Sequence, residues 1–170
     1  MAPRAAARLE TLGFEQVFEY LAGKLDWLAA GNPTEGENSK RPRAGDVARK
    51  DVLVCALKDR VGEVRKRAGA SLWDVAVVID DARVVLGLLR SEQLEEEPGL
   101  SVEKAMRPGP STFRPYVPIK EMADYMVEHR LDSVPITTSE GKLVGVLFKH
   151  DATREAAATG SATTRRMITS

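Results

Sequence analysis

The segment Asp74-Val-Ala-Val-Val-Ile-Asp-Asp-Ala-Arg-Val-Val-Leu-Gly-Leu-Leu89 returns in pattern 58 residues later, as Asp132-Ser-Val-Pro-Ile-Thr-Thr-Ser-Glu-Gly-Lys-Leu-Val-Gly-Val-Leu147. Aspartate opens both stretches, glycine stands at the same place in both (Gly87 and Gly145), and the apolar positions stay in phase. Self-similarity at a fixed offset indicates a duplicated supersecondary unit. The chain is therefore predicted to be a two-fold module with equivalent clefts between its halves.

Each copy is predicted to fold in the order β-α-β-β-α. The paired strands are expected at Val75–Ile79 and Val84–Leu89, and at Ser133–Thr137 and Leu143–Leu147, with polar hairpin turns between them. Short extended pieces, Val52–Cys55 and Ser111–Phe113, precede amphipathic helices at Asp59–Ala70 and Pro118–Arg130, and shorter helices follow near 91–96 and 149–157. The fold class is α/β (α+β), with two tandem repeats packed in pseudo-two-fold symmetry.

Composition shifts set the predicted boundaries of the chain's segments. The repeats occupy residues 44–98 and 102–157, and each opens with a short helical turn. Residues 37–43 are polar and rich in turn formers, which is typical of a linker. The tail 158–170 is rich in Thr, Ser and Ala and is predicted to be disordered.

Bulk composition excludes several classes of protein. The 170 residues carry 25 basic and 25 acidic side chains, which argues against a general nucleic-acid binder. No apolar run is long enough for a transmembrane helix, and the N-terminus lacks the apolar core of a secretory signal. A single cysteine excludes an internal disulfide and a multi-cysteine metal site. A cytoplasmic globular protein is expected.

Motifs after each hairpin resemble those of the tandem cystathionine-β-synthase (CBS) domain pair, also called a Bateman module. In that family a Val-Gly-containing strand leads into a helix that opens with Thr/Ser-x-x-Asp. The second copy reads Leu143-Val-Gly-Val-Leu-Phe148-Lys-His-Asp151, with Phe148 in the Thr/Ser position, and its Val134-Pro-Ile matches the family's Val-Pro-Val strand. The first copy reads Leu86-Gly-Leu-Leu-Arg90-Ser-Glu-Gln93, with Gln93 in the position of the aspartate.

The resemblance implies a regulatory module that binds AMP, ADP, ATP or S-adenosylmethionine between its repeats, with no cofactor required. Asp151 would accept hydrogen bonds from the ribose hydroxyls. Lys149 would approach a phosphate, and Phe148 would either stack on the base or fill the space of a ligand. Gln93 lacks the charge of Asp151, so the first cleft is expected to be degenerate. The strand residues assigned to the ligand are Val54, Val75, Thr112, Val134 and Pro135.

Residues 1–36 resemble the C-terminal third of a rhodanese domain. A helix ends before Gly13, Phe14–Tyr20 is strand-like, and a Trp27-containing helix over 24–30 leads to Gly31-Asn-Pro33. The catalytic cysteine of that family lies upstream of the matching region, and nothing here occupies its place. This resemblance therefore implies a remnant without sulfurtransferase activity.

Three classes of function stay open, and the regulatory nucleotide-binding module is the favoured one. The second is an interaction scaffold with degenerate ligand sites, indicated by Gln93 and Phe148. The third is an enzyme that uses Cys55, which reads more simply as a buried small side chain because no activating cation accompanies it.

No metal site is expected from His129 or His150. A homodimer is predicted through the two long helices, with Tyr125 or Met126 in the interface, and an unidentified protein partner is expected.

Overall fold

The structure, a computed structural model, describes residues 2–17, 27–28, 35, 41–71 and 73–166. Helix α1 spans Ala2–Thr11 and ends before Gly13, whose φ of 89° is the left-handed conformation expected of a residue after a helix. Residues 14–17 are not in a strand, and the rest of the strand predicted over Phe14–Tyr20 lies outside the described residues. Trp27 is helical, while most of the second predicted helix and of the linker 37–43 lies outside them.

The first repeat contributes three strands to a four-stranded sheet covered by a helix, and the fourth strand comes from the second repeat. Its elements are helix α2 (Ala44–Val47), strand β1 (Val54–Cys55), helix α3 (Val61–Ser71), strands β2 (Val75–Ile79) and β3 (Val85–Arg90), and helix α4 (Ser91–Leu94). Strand β1 runs parallel to β2, and β2 pairs with β3 as an antiparallel hairpin. The predicted order β-α-β-β-α is therefore confirmed in this copy.

The second repeat follows the same order, but its extended piece before the long helix forms no strand, and its short strand at Arg107–Pro108 pairs with β3 of the first repeat. Its elements are helix α5 (Val102–Ala105), strand β4 (Arg107–Pro108), helix α6 (Ile119–Glu128), strands β5 (Ser133–Thr137) and β6 (Leu143–Phe148), and helix α7 (Lys149–Arg166). The extended piece predicted at Ser111–Phe113 is reduced to one parallel bridge between Phe113 and Ile136. Helix α7 continues beyond its predicted end at 157: the run of alanines around Ala156 favours a helix, whereas the Thr, Gly and Ser residues after 158 do not explain its further extension. The tail is thus helical to Arg166, where no order was predicted.

The two repeats exchange their opening segments. Helix α2 packs on α6 and α7 of the second repeat, while Val102 of α5 is buried in the core of the first. The backbone pairing shows the same exchange, because Arg49 forms a bridge with Val146 and the equivalent Arg107 pairs with Leu88. One further bridge joins Val84 to Lys142, two residues that are equivalent to each other. The pseudo-two-fold axis therefore passes between the two hairpins.

The paired glycines allow the exchanged segments to cross the strands. A Cβ atom on Gly145 would lie 2.5 Å from the carbonyl oxygen of Arg49, and one on Gly87 would lie 2.5 Å from the Sδ atom of Met106. These distances are far shorter than any normal carbon contact. Glycine at the same place in both copies is therefore required by the close approach of the other repeat's backbone.

Alternation along the strands divides the apolar side chains between three clusters. In β2, Ala76 and Val78 face α3, while Val75 and Val77 face the second repeat. The corresponding core under α6 contains Met122 and other buried side chains of the second repeat. The third cluster, made by Val75, Val77, Leu88, Leu143, Val146 and Phe148, joins the two sheets. The repeats therefore share one continuous apolar interior.

Met126 does not lie on a surface that a second chain could contact. Its side chain is 0% exposed and packs in the core of its own repeat. Helix α6 carries apolar side chains over a wide arc. Part of this arc is covered within the chain, because helix α2 of the exchanged segment packs against α6 as a second wall of the core. The prediction that Met126 takes part in a dimer interface is therefore corrected. Tyr125 is half-buried, and Val127 on the same helix is 57% exposed.

Candidate functional site

Two clefts lie between the repeats, one on each side of the pseudo-two-fold axis. We call them the Phe148 cleft and the Arg90 cleft, after equivalent residues at the ends of β6 and β3. Their cavity volumes are about 450 Å³ and 620 Å³, which is the size range of small-molecule sites. The equivalent aspartates Asp74 and Asp132 line both clefts. The duplication in the sequence has thus produced two clefts of common plan.

Aromatic rings form one wall of the Phe148 cleft. The ring of Phe148, at the end of β6, stacks on that of Trp73 from the first repeat, with centroids 5.5 Å apart and an interplanar angle of 26°. The guanidinium carbon of Arg49 lies 5.8 Å from the Trp73 centroid and 5.4 Å from the Phe148 centroid. This position is within the range of a cation–π contact with both rings. Trp73 therefore lies in the cleft.

Asp151 lies behind this wall in the first turn of α7, and its side chain is 4% exposed. Its Oδ2 atom accepts a hydrogen bond from Nε of Arg49 at 2.8 Å, and its Oδ1 atom accepts one from Nη2 of Arg154 at 2.8 Å. The Nε2 atom of His150 lies 3.2 Å from Oδ1 and 3.1 Å from Nη2 of Arg49. The buried carboxylate is therefore neutralised by arginines from both repeats.

These contacts stabilise the charged form of Asp151. The hydrogen bond from Arg49 lowers the pKa of the Asp151 carboxyl, while burial opposes this by raising it. The same bond raises the pKa of Arg49. At the rim, the ammonium of Lys149 binds Asp132 and lowers the pKa of that carboxyl. The cleft consequently contains fixed charges of both signs at neutral pH.

The Arg90 cleft has different chemistry at the equivalent positions. Arg90 extends across to the second repeat and donates hydrogen bonds to Oγ and to the carbonyl oxygen of Ser133, both at 3.1 Å. Gln93 occupies the position of Asp151, but its Oε1 atom accepts a hydrogen bond from the backbone N–H of Arg90 and caps α4. Arg107, the equivalent of Arg49, pairs with Glu92 at 2.7 Å in an exposed salt bridge. No buried carboxylate faces this cleft among its lining residues.

The structure divides the predicted site residues between the two clefts. Phe148 and Lys149 line the Phe148 cleft, and Asp151 contacts it through Arg49. Val75 and Val134 line the Arg90 cleft. The others lie beside the clefts: Val54 in β1, Thr112 before the Phe113 bridge, Pro135 buried in β5 and Gln93 in the cap of α4.

Sequence reasoning missed Arg49 and Arg154. Arg154 could have been found, because a residue three positions after Asp151 on a helix lies on the same face. Arg49 could not, because its contact with Asp151 joins residues 102 positions apart. The only sign of it in the sequence is its equivalence to Arg107, and that becomes informative only once the exchange of opening segments is known.

Cys55 is buried and has no features of a nucleophile. It lies in β1 with an exposed fraction of 4%, and burial raises the pKa of its thiol to about 12. The prediction of a buried small side chain is therefore confirmed. No group of three or more His, Cys, Asp or Glu side chains that could hold a metal ion occurs in the described part of the chain. Likewise, no helix in that part is long and apolar enough to cross a bilayer.

Comparisons with known proteins agree with this architecture. Residues 102–158 match the family model of the CBS domain. No protein with a curated description matches the chain. Among solved structures, CBSX2 of Arabidopsis thaliana in complex with AMP is 20% identical with a TM-score of 0.63, and the match covers 70% of this chain and 98% of that one.

Two further structures resemble the chain to a similar degree. The CBS domain pair of protein MJ0100, in complex with 5′-methylthioadenosine and S-adenosyl-L-methionine, is 16% identical with a TM-score of 0.61, over 70% of this chain and 98% of that one. The cytosolic domain of the magnesium channel MgtE, in complex with ATP, is 21% identical with a TM-score of 0.61, over 66% of this chain and 48% of that one. The chain therefore has the fold of a CBS domain pair, with the CBS sequence pattern over residues 102–158.

Proposed function

We propose that the chain is a regulatory, non-catalytic module that binds an adenosine-containing ligand in the Phe148 cleft. The buried carboxylate of Asp151 carries this proposal. It is positioned by α7 behind a cleft of small-molecule size, where ribose hydroxyls could donate hydrogen bonds to it. Structures with the same fold have been solved with AMP, ATP and S-adenosylmethionine, which supports this class of ligand.

The walls of the cleft match the other parts of such a ligand. Trp73, half-buried and backed by the buried ring of Phe148, offers an aromatic surface on which an adenine ring could stack, and stacking on aromatic side chains is a common mode of base binding. Lys149 and His150 open α7 on the same side and would face a phosphate. Binding would change the contacts between the repeats, and coupling of this kind to a partner protein is typically worth about 1–3 kcal/mol.

Titration calorimetry with AMP, ATP and S-adenosylmethionine tests the proposal. Asp151→Asn should weaken binding roughly tenfold to a hundredfold, because hydrogen bonds to a charged group are worth about 1.5–3 kcal/mol. Glu92→Gln, at the position in the Arg90 cleft equivalent to His150, is the matched control and should leave affinity unchanged. Absence of binding to all three ligands would overturn the proposal, and weakening by Glu92→Gln instead of Asp151→Asn would assign the ligand to the other cleft.

A second candidate is an interaction scaffold whose clefts bind no small molecule. One observation favours it: Asp151, Arg49 and the two rings already satisfy one another, so the Phe148 cleft is stable without a ligand. For a scaffold, Asp151→Asn would change stability but no ligand would shift the thermal midpoint of the unaltered chain. Thermal unfolding of the unaltered chain with and without each ligand, together with the titrations above, therefore separates the two functions.

The proposed module acts as a homodimer that pairs through α6. The half-buried Tyr125 and the exposed Val127 offer the contact surface, and two-fold pairing is the commonest assembly of identical chains. Val127→Glu should shift the mass measured by light scattering from two chains to one, with circular dichroism to confirm folding. A mass of one chain for the unaltered protein at tens of micromolar would refute the dimer.

A further inference from the structure

Arg49 occupies the place that a ligand would need at Asp151. Its Nε atom holds Oδ2 of Asp151 at 2.8 Å, while Oδ1 is taken by Arg154 and His150. The backbone of Arg49 is fixed by two hydrogen bonds with Val146, each of 2.9 Å. Its side chain, by contrast, is 43% exposed. A ligand can therefore displace the guanidinium towards the mouth of the cleft without moving the exchanged segment.

Displacement leaves a cation in a half-enclosed space. Ribose hydroxyls can donate hydrogen bonds to Asp151. They are neutral, however, so a hydrogen bond that they accept from Arg49 is weaker than the one that a carboxylate accepts. Of the other carboxylates near Arg49, Asp132 is already bound to Lys149, while Asp74 at the rim and Asp51, whose charge also acts on Arg49, are exposed. Exposed carboxylates are screened by water and do not replace the direct pair that Arg49 makes with Asp151. The free energy of ligand binding must therefore include the loss of the Arg49–Asp151 pair.

We infer that Arg49 makes the Phe148 cleft selective for phosphorylated adenosine compounds, because a ligand phosphate replaces Asp151 as the partner of its guanidinium. Arginine binds phosphate with the same two-pronged geometry with which it binds carboxylate. Adenosine brings no anion to this position. S-adenosylmethionine carries a sulfonium cation on the ribose carbon that bears the phosphate in AMP, and its carboxylate lies at the far end of the methionine chain, so it too brings no anion to the position of the phosphate. This selectivity rests on the proposed function and adds the class of ligand to it.

Calorimetry with AMP, adenosine and S-adenosylmethionine tests the role of Arg49 in the full chain. The unaltered protein should bind AMP at least about tenfold more tightly than adenosine, which is the contribution of one charge-assisted hydrogen bond. In Arg49→Gln, AMP should bind more weakly and adenosine more tightly, so that the ratio of their affinities falls by about tenfold. Arg49→Lys keeps the charge but loses the planar fork and should retain part of the preference.

The repeat supplies a matched control for this experiment. Arg107 is the equivalent of Arg49 in the Arg90 cleft, and Arg107→Gln should leave both affinities unchanged. An AMP-to-adenosine ratio that stays the same in Arg49→Gln and Arg49→Lys, or tighter binding of S-adenosylmethionine than of AMP by the unaltered chain, would overturn the inference and leave the proposed function standing. Failure of these three ligands and of ATP to bind the unaltered chain would overturn both.

Discussion

Replacing Gly145 by alanine tests whether the crossing of the exchanged segment is as tight as the structure shows. The new Cβ atom would lie 2.5 Å from the carbonyl oxygen of Arg49 and 3.3 Å from Cβ of Ala48. Restoring a normal contact requires the Arg49 backbone to move by roughly 1 Å. That backbone is held by two hydrogen bonds with Val146, so the movement lengthens both of them.

The expected cost follows from these two effects. Overpacking of a well-packed region costs about 1–3 kcal/mol, and each weakened hydrogen bond contributes up to roughly 1 kcal/mol. A total of about 2–4 kcal/mol should lower the thermal midpoint of a chain of this size by roughly 5–15 °C. In Gly87→Ala the nearest atom is the flexible thioether of Met106, and the nearest backbone oxygen, that of Arg107, lies at 2.9 Å instead of 2.5 Å, so we expect a smaller loss.

Thermal unfolding followed by circular dichroism measures the effect, and Gly69 provides the control. Gly69 lies in α3, and a Cβ atom there would meet nothing within 4 Å. Gly69→Ala should therefore raise stability by up to about 1 kcal/mol, as is usual for glycine in a helix. Equal midpoints for Gly145→Ala and the unaltered chain would refute the tight crossing, and with it the argument that equivalent glycines are kept for this purpose.

Three further predictions concern other parts of the molecule. Because burial raises the pKa of Cys55 to about 12, iodoacetamide at pH 8 should label it only after unfolding in urea; rapid labelling of the native chain would contradict its burial. Arg83 has a φ of 65° in the first hairpin, so Arg83→Gly should raise the free energy of unfolding by roughly 0.5–1 kcal/mol, whereas Gly141→Ala at the equivalent turn (φ 80°) should lower it. Because Arg49 lowers the pKa of Asp151, the stability that this carboxylate supplies is complete above its unfolded-state pKa and is lost as the pH falls through its lowered folded-state pKa. Urea unfolding should therefore show a smaller loss in acid for Asp151→Asn, and equal pH dependence in both proteins would refute this.

Local periodicity carried most of the fold prediction. The strands Val75–Ile79 and Ser133–Thr137 have the predicted bounds, because short runs rich in β-branched residues between polar turns define both ends of a strand. Helices α3 and α6 begin one or two residues later than predicted. The offset of the repeat also predicted the pseudo-two-fold symmetry, and the bridge between Val84 and Lys142 accordingly joins two equivalent positions.

Long-range pairing was beyond the sequence. The apolar spacing of Met126 indicates burial but cannot distinguish the core of its own chain from that of a second copy. The opening helix Ala44–Val47 was assigned to the repeat that it precedes, whereas it packs on the other one. Likewise, Asp151 could be identified from its place in the motif, but its pairing with Arg49 depends on that exchange. Motif position gives the type of side chain at a site, and only tertiary structure gives its partner.

The exchange of opening segments also bears on how the chain can misassemble. Neither repeat is an independent folding unit, because the core under α6 is completed by Ala44 and Ala48 and that of the first repeat by Val102. A molecule in which residues 44–50 detach exposes an apolar groove whose complement is the same segment of any neighbouring molecule. The contact between this segment and the groove then forms between two molecules instead of within one. No new interaction is needed, which is the defining condition for domain swapping. Entangled dimers formed at high concentration during refolding are the natural by-product of this topology.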